Sequence, residues 1–580
     1  MSTRTFIPTE EQSKIINHTG SAFITACPGA GKTRVMVERA RNVLRAVRGG
    51  RGIAFLSFTR GAIQELTSRL RREALLPSPV FPHFLGTFDS FIWQFLISPF
   101  GIPGVEATPR LISDKRERRV IPFEGARPLP LSCFDRFSGK INLSAAKRLN
   151  FDVSKIRSPL VQAYETSARN LLTRFRLRGE LDFEDARDLA LARIQEKEFA
   201  GRLSAAIAGR FGEIIVDEAQ DCNPSDLEII GWLRDTGVHT KVVCDPDQSI
   251  YEFRGGVTDH LTKFADTFES RLSMRGNFRS SDNICRTIVA LRSPGNRKFP
   301  DEPLGEYRHE NLPVYLLSYA GQSVHAGIGR RFVEILKDLS IEIGSAPVLA
   351  ATRSSCCKAV GRPVVEARED LTFRLAEAVS NFHLAFESDV QTSAIQELHK
   401  IILELKGSLS GSSETYHQYI GAHDIKPEEW RPMVVGTLRA LRYDPKVYAN
   451  ADEWHQRAKD LLAPYIPSGG LSIAQRLKKN AGISSLLALP PAETLHAKTI
   501  HSVKGAEFLA VCVVATRTFK GILDYLETGA PPEAAEMARE LYVAASRARR
   551  LLAIAAPKSQ SARFAAHLRR AGAEVVVSNA

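Results

Sequence analysis

The sequence predicts an α/β protein in which parallel sheets are covered by helices. Three observations predict it. A short apolar run at residues 21–25 passes through a Gly-rich turn into a helical stretch at 34–40. A second apolar run at 213–216 ends on two carboxylates, Asp217 and Glu218. Strand-like and helix-like segments then alternate around each further motif. At 580 residues the chain is too long for one core, and two to four domains are expected.

The turn reads Ala26-Cys27-Pro28-Gly29-Ala30-Gly31-Lys32-Thr33-Arg34. Strand, Gly-rich turn, helix is the setting a phosphate-binding loop requires. Gly29 and Gly31 let backbone N–H groups approach phosphate at the positive end of the helix. Lys32 matches the β- and γ-phosphate charge, and the Thr33 hydroxyl suits Mg²⁺. Ala26 stands where the general pattern has Gly. At the end of the second strand, Asp217 suits the same Mg²⁺, and Glu218 suits the base that orients an attacking water. Together these residues predict ATP and Mg²⁺ as cofactors and a hydrolase site.

Composition narrows the class. Apolar residues make up 44 % of the chain and charged residues 25 %, as in ordinary globular proteins. No apolar run approaches the roughly 18 residues of a membrane span, and the first twelve residues lack the apolar core of a signal peptide. The eight cysteines form no CxxC pair, which argues against structural zinc and a disulfide framework and for a reducing cytoplasm. The net charge of +13 favours a polyanionic partner, with a generally basic surface as the equal alternative. Residues 105–180 carry 16 Lys and Arg against 8 Asp and Glu.

From residue 6 to 553 the order of motifs resembles the UvrD/Rep-type superfamily 1 DNA helicases. Phe6-Ile-Pro-Thr-Glu-Glu-Gln12 resembles the adenine-reading motif, which implies that Gln12 selects ATP through its two-sided amide. Residues 55–62 and 86–90 resemble two segments that line the strand-binding groove, with Arg60 where Asn is usual and Asp89 where His is usual. The resemblance makes Phe58, Thr59, Phe88 and Ser90 candidates for contact with DNA. The stretch 242–255 is the most specific. Gln248 there is implied to sense the γ-phosphate, while Tyr251, Phe253 (usually Trp) and Arg254 meet the strand, bases stacking on the two rings. Asn277-Phe278-Arg279-Ser280 resembles the motif that opens a second core, with Arg279 reaching the γ-phosphate and Phe278 stacking on adenine. Residues 499–508 imply Glu507 on the ribose, and Thr499 and His501 on the strand. Residues 540–548 carry a second arginine finger, Arg547, with Ser546 in place of Thr.

The resemblance further implies two RecA-like parallel-sheet P-loop domains with two mainly helical inserts. The first core is expected at 1–91 with 182–265 and the second at 266–358 with 493–580. A basic insert is expected at 92–181. A reduced helical insert at 359–492 contains amphipathic stretches at 388–405 and 453–462. The implied activity is ATP-driven 3′→5′ movement on single-stranded or tailed duplex DNA, with unwinding. Small relatives also accompany a nuclease, as in Gabija-like anti-phage systems, and by that analogy a nuclease subunit is a second expected partner. A DNA-stimulated ATPase subunit of a repair or anti-phage complex, sensing or remodelling DNA ends without processive unwinding, stays open as the alternative. Nothing in the residues separates DNA from RNA.

Overall fold

In the computed structural model the described residues are 6–46, 50–78, 80–112, 115–123, 125–148, 158–250, 258–298, 300–320, 323–361, 370–384, 388–409, 416, 419–420, 423, 425–480, 482–487, 495–516 and 518–580. The chain divides into two compact units. One holds Met1–Phe100, Ala186–Val364 and Ala492–Ala580; the other holds Gly101–Asp185 and Val365–Pro491.

The first unit contains two six-stranded sheets. Strands β1 (Ala22–Ala26), β2 (Gly52–Ser57), β3 (Phe84–Thr87), β4 (Phe211–Asp217), β5 (His239–Cys244) and β6 (Arg271–Met274) stand in the order β6-β1-β5-β4-β2-β3. Every neighbouring pair is parallel. The central strands read as unbroken apolar runs because parallel strands are covered on both faces: Ile214, Ile215 and Val216 are buried, as are Val242, Val243 and Cys244. Helices α1 (Glu10–Asn17), α2 (Lys32–Ala46) and α3 (Arg60–Arg72) close one face, burying Ile15, Val35, Val37 and Leu70 against Ile24, Ile215 and Val243.

The second sheet is formed by β7 (Val314–Tyr319), β8 (Val348–Ala350), β9 (Ala497–Thr499), β10 (Phe508–Val514), β11 (Ala548–Pro557) and β12 (Val575–Asn579), in the order β9-β8-β10-β11-β7-β12. It too is parallel throughout. Along β11 the side chains alternate between two cores. Leu552, Ile554 and Ala556 pack with the helices Phe519–Thr528, α4 (Ala535–Ala545) and Lys558–Arg570, while Leu551, Ala553 and Ala555 pack with Gly327–Asp338. The α/β expectation is therefore met by two parallel sheets.

One boundary differs from expectation. Residues 266–274 were assigned to the second core, yet β6 pairs with β1 in the first sheet. The helix Thr258–Asp266 returns the chain to the start of the sheet, and a further parallel strand at the edge completes that crossover before the chain leaves.

In the second unit, the amphipathic stretches expected at 388–405 and 453–462 are the helices Ser388–Leu405 and Ala451–Leu462. They share a core with Leu371–Leu384 and Pro427–Ala440, centred on fully buried Trp454, whose indole N–H donates to the Leu441 carbonyl at 2.7 Å. Residues 101–185 contribute a separate core of Val120, Leu129, Leu131, Tyr164 and Phe175, with short two-stranded ribbons beside the helix Ser158–Leu177. Among the described residues no helix is long and apolar enough to cross a membrane.

A buried ion cluster ties the elements of the first sheet together. Arg39 on α2 donates from Nε and Nη2 to the two carboxylate oxygens of Glu213 on β4, at 2.9 and 2.6 Å. Lys241 on β5 lies 3.6 Å from the same carboxylate and donates to the Gly20 carbonyl at 2.8 Å. Burial lowers the Lys241 ammonium to about 8 despite the Glu213 charge. Glu213→Gln leaves both cations without a counter-charge, and the expected cost is about 3–5 kcal/mol. It would be read as a lowered unfolding midpoint; an unchanged midpoint would show the cluster to be dispensable.

Candidate nucleotide site

The loop 27–31, expected to bind phosphate, connects β1 to α2 at the carboxyl end of the first sheet, where open α/β sheets hold ligands. Gly29 and Gly31 take φ of 73° and 76°, a region that side chains disfavour. At Gly29 space also forbids a side chain: a Cβ would stand 2.6 Å from both Arg279 Cβ and Asn277 Oδ1. The loop is held from both sides. Cys27 N donates to the Met274 carbonyl at 3.0 Å, and Phe278 N donates to the Gly29 carbonyl at 2.9 Å. Gln12 Nε2 donates to the Ala30 carbonyl at 3.0 Å, while its Oε1 accepts from Thr9 N at 3.0 Å in the cap of α1. One donor hydrogen and one lone pair of that amide are left over. The Arg34 guanidinium lies over the Phe6 ring, 5.0 Å from its centroid.

Strand β4 delivers Asp217, and Glu218 follows in a left-handed conformation with φ 58° and ψ 38°. A non-glycine residue there is strained, and the turn aims the two carboxylates differently. Glu218 N donates to Asp217 Oδ1 at 2.9 Å, and Gln220 Nε2 donates to the Glu218 carboxylate. Thr33 and Asp217 line the same small cavity, together with Ser57 and apolar side chains of α2, α3 and β2. A hydroxyl and a carboxylate facing one space are the oxygen donors Mg²⁺ accepts. Burial and the neighbouring Glu218 charge raise Asp217 to about 7. Glu218 is also penalised by burial, but Lys32 and Lys504 outweigh that and hold it below its ordinary value. Burial would lower the Lys32 ammonium; Glu218, Asp245 and Asp217 reverse the sign and raise it.

Residues from the second sheet converge on this cluster. Arg547, at the end of α4, donates from Nη2 to Gln248 Oε1 at 2.8 Å. Burial and the neighbouring Arg279 lower Arg547 to about 10. Arg279 donates from Nε to Glu507 at 2.8 Å and from Nη1 to the Ser546 carbonyl at 3.0 Å. Its backbone is set by Asn277, whose Oδ1 accepts from Arg279 N and Ser280 N at 2.8 and 3.0 Å. Phe278 is 38 % exposed beside this turn, open to stacking. The predicted residues Lys32, Thr33, Asp217, Glu218, Gln248, Arg279 and Arg547 thus gather around one cleft of the first unit.

The predicted strand contacts fare less evenly. Phe88 is 0 % exposed, and its ring packs 5.4 Å from that of Phe58. It cannot stack on a base, because four-residue helix Phe88–Phe91 turns it into the core; its role is to support half-buried Phe58. Thr59 caps α3, accepting from Ala62 N at 3.3 Å, and Ser90 Oγ donates to the Thr87 carbonyl at 2.7 Å. Asp89 pairs with Arg187, which also donates to Asp226 at 2.7 Å. Thr499 ends β9, and His501 Nε2 lies 3.3 Å from the Ile250 carbonyl. Tyr251, Phe253 and Arg254 lie outside the described residues.

Several participants escaped the sequence reading. Lys504 Nζ bonds both carboxylate oxygens of buried Asp221, at 2.7 and 2.6 Å. Asp247 accepts from Ser293 N, Ser293 Oγ and Asn296 Nδ2 at 3.0, 2.5 and 2.9 Å. Asp245 accepts from Gln248 Nε2 at 2.7 Å and from the Tyr542 hydroxyl at 3.0 Å. Asp245 had a legible signal, since like Asp217 it directly follows a buried strand. Tyr542 had none, because a helical tyrosine reads as core.

Residues 8–269 match the UvrD/REP helicase N-terminal domain. ATP-dependent DNA helicase UvrD1 of Mycobacterium bovis is 26 % identical over 312 residues, 50 % of this chain and 40 % of that protein. ATP-dependent DNA helicase PcrA of Staphylococcus epidermidis is 26 % identical over 287 residues, 47 % of this chain and 38 % of that protein. ATP-dependent DNA helicase Rep of Buchnera aphidicola is 25 % identical over 317 residues, 51 % of this chain and 47 % of that protein. The chain therefore spans less than half the length of these relatives.

The Asp217 carboxylate carries a pH signature. Its folded pKa of about 7 lies above the ordinary 3.8, so the folded state keeps a proton that the unfolded chain has lost between those values. Stability falls as pH rises through that window and is level above it. Asp217→Asn retains the acceptor for Glu218 N and removes the charge. In Mg²⁺-free buffer it is expected to stabilise the protein by on the order of 1–3 kcal/mol above pH 7, with the gain vanishing toward pH 4. A melting series over pH checks this, and equal gain at every pH would contradict it.

Proposed function

We propose that this chain, UvrD-type over residues 8–269, is a motor that couples ATP hydrolysis between two RecA-like lobes to 3′→5′ movement along single-stranded DNA, and unwinds tailed duplex. The observation that carries the proposal is the 2.8 Å contact between Arg547 on the second sheet's helix and Gln248 on the first sheet's strand end, within the cluster of Lys32 and Glu218. An arginine supplied across a cleft to a phosphate loop is the expected clamp for charge developing on a transferred phosphoryl group.

Lys32, Arg279 and Arg547 then neutralise phosphate oxygens, Glu218 orients and deprotonates the attacking water, and Gln248 reports the terminal phosphate. Gln12 uses its spare donor and acceptor on adenine, while Phe278 and Arg34 flank the ring, and Glu507 takes the ribose. Thr33 and Asp217 would hold Mg²⁺, which supplies charge neutralisation between the phosphates. Closure of the cleft on ATP and its release after hydrolysis would alternate the grip on the strand.

A second reading, a DNA-gated ATPase that senses or remodels ends without processive unwinding, is favoured by one feature. At the position where the resemblance implies a histidine, Asp89 is paired to Arg187, and adjacent Phe88 is core. Both readings expect hydrolysis that rises with single-stranded DNA, disappears in Lys32→Ala and falls about 10³-fold or more in Arg547→Ala. Displacement of a strand from duplex with a 3′ tail, and not a 5′ tail, supports the motor that unwinds. Stimulated hydrolysis without displacement supports the second reading, and hydrolysis indifferent to DNA or to Lys32→Ala defeats both.

A further inference from the structure

The helix α4 reaches the first sheet's strand end at two points. Arg547 holds Gln248, as described. One and a half turns earlier, fully buried Tyr542 donates its hydroxyl to Asp245 Oδ2 at 3.0 Å. The same oxygen accepts from Gln248 Nε2 at 2.7 Å. The bonds thus run from Tyr542 to Asp245 to Gln248 to Arg547, beginning on α4 and ending two residues past it.

We propose that Tyr542 is a positioning residue that sets the Gln248 amide through Asp245. The inference rests on the proposed ATP hydrolysis and adds a residue to it. A glutamine amide has two faces that differ only in which atom donates. With Nε2 toward the Asp245 carboxylate and Oε1 toward the Arg547 guanidinium, both contacts are attractive. Flipped, the carbonyl would meet the carboxylate and the NH₂ would meet the guanidinium, and both contacts would repel. The orientation of Gln248 is therefore decided by where the Asp245 carboxylate points.

Three groups compete for that carboxylate. Asp247 N donates to its Oδ1 at 3.2 Å, and Lys32 and Arg292 act on it electrostatically. Arg292 is already engaged by Asp301 at 2.5 Å. Lys32, at the start of α2, attracts the carboxylate through its charge. The Tyr542 hydroxyl bonds Oδ2 itself, the oxygen that also accepts from Gln248 Nε2, and so fixes which way the carboxylate points. Because Tyr542 lies on α4 and Arg547 stands two residues past its C-terminal end, a shift of that helix loosens both ends of the amide together. Gln248 is then held in its sensing orientation only while the helix is docked on the strand end, which makes docking and phosphate sensing a single event.

Tyr542→Phe keeps the ring and removes the hydroxyl. Its test is steady-state ATP hydrolysis on saturating oligo(dT), with thermal unfolding measured alongside. The expected result is a kcat lowered about tenfold, a KM for ATP within about twofold, and an unfolding midpoint lowered by no more than about a few degrees, as loss of one buried hydrogen bond predicts. In a Gln248→Ala background, followed in single turnover, Tyr542→Phe is expected to change the rate less than about twofold, because a residue acting through Gln248 has nothing left to position. Full kcat in Tyr542→Phe overturns the proposal, as does a tenfold loss that persists without Gln248. A lowered midpoint with unaltered kcat assigns Tyr542 to packing alone and also overturns it. A wild-type chain without Lys32-dependent hydrolysis overturns the functional reading and the relay together, whereas wild-type hydrolysis unmoved by Tyr542→Phe overturns the relay only.

Discussion

Glu213 bears two cations in the interior of the first sheet, and the site depends on that arrangement. Arg39 belongs to α2, Glu213 to β4 and Lys241 to β5. Followed to their other ends, the same three elements deliver Lys32 and Thr33, Asp217 and Glu218, and Asp245 with Gln248. Apolar packing alone lets a helix slide along a sheet at small cost, whereas a bidentate guanidinium–carboxylate pair fixes register and rotation. Burying the charges is itself costly, and the cluster holds because Glu213 has both cations and each cation has a carbonyl acceptor, Ile16 for Arg39 and Gly20 for Lys241.

The second dependence is the way the strand end 245–250 is held by the other sheet's elements. Asp245 meets Tyr542, Asp247 meets Ser293 and Asn296, Gln248 meets Arg547, the Ser249 carbonyl accepts from Arg539, and the Ile250 carbonyl lies against His501. This segment belongs by connectivity to the first sheet and by hydrogen bonding to the second. Relative movement of the two sheets acts on this segment, as it does on the contacts of Phe278 with Gly29 and of Lys504 with Asp221.

The site also holds features that oppose stability. Glu218 is left-handed, Asp217 is a buried carboxylate raised to about 7, and Asn277 Nδ2 is buried without a hydrogen-bond partner among the described residues. Strain and unmatched polarity of this kind persist where a ligand supplies what the protein omits. Other buried charges of the first unit are ion-paired, among them Lys504 with Asp221 and Arg292 with Asp301.

Much of this was determined by the sequence itself. The phosphate loop, the carboxylates after β4 and the parallel α/β class follow from local patterns, because backbone conformation, strand burial and helix periodicity are set within a few residues. The amphipathic stretches at 388–405 and 453–462 were legible for the same reason, and the second helix begins two residues earlier, at Ala451. Only the tertiary structure decided what lies between distant segments. It placed β6 in the first sheet, turned Phe88 inward, and brought Tyr542 to Asp245 across 297 residues of chain. An aromatic residue in a half-buried segment carries no sign of which side faces solvent, and a hydrogen bond between remote residues leaves no periodicity to read. The chemistry of the site was written locally; its orientation and coupling were settled by packing.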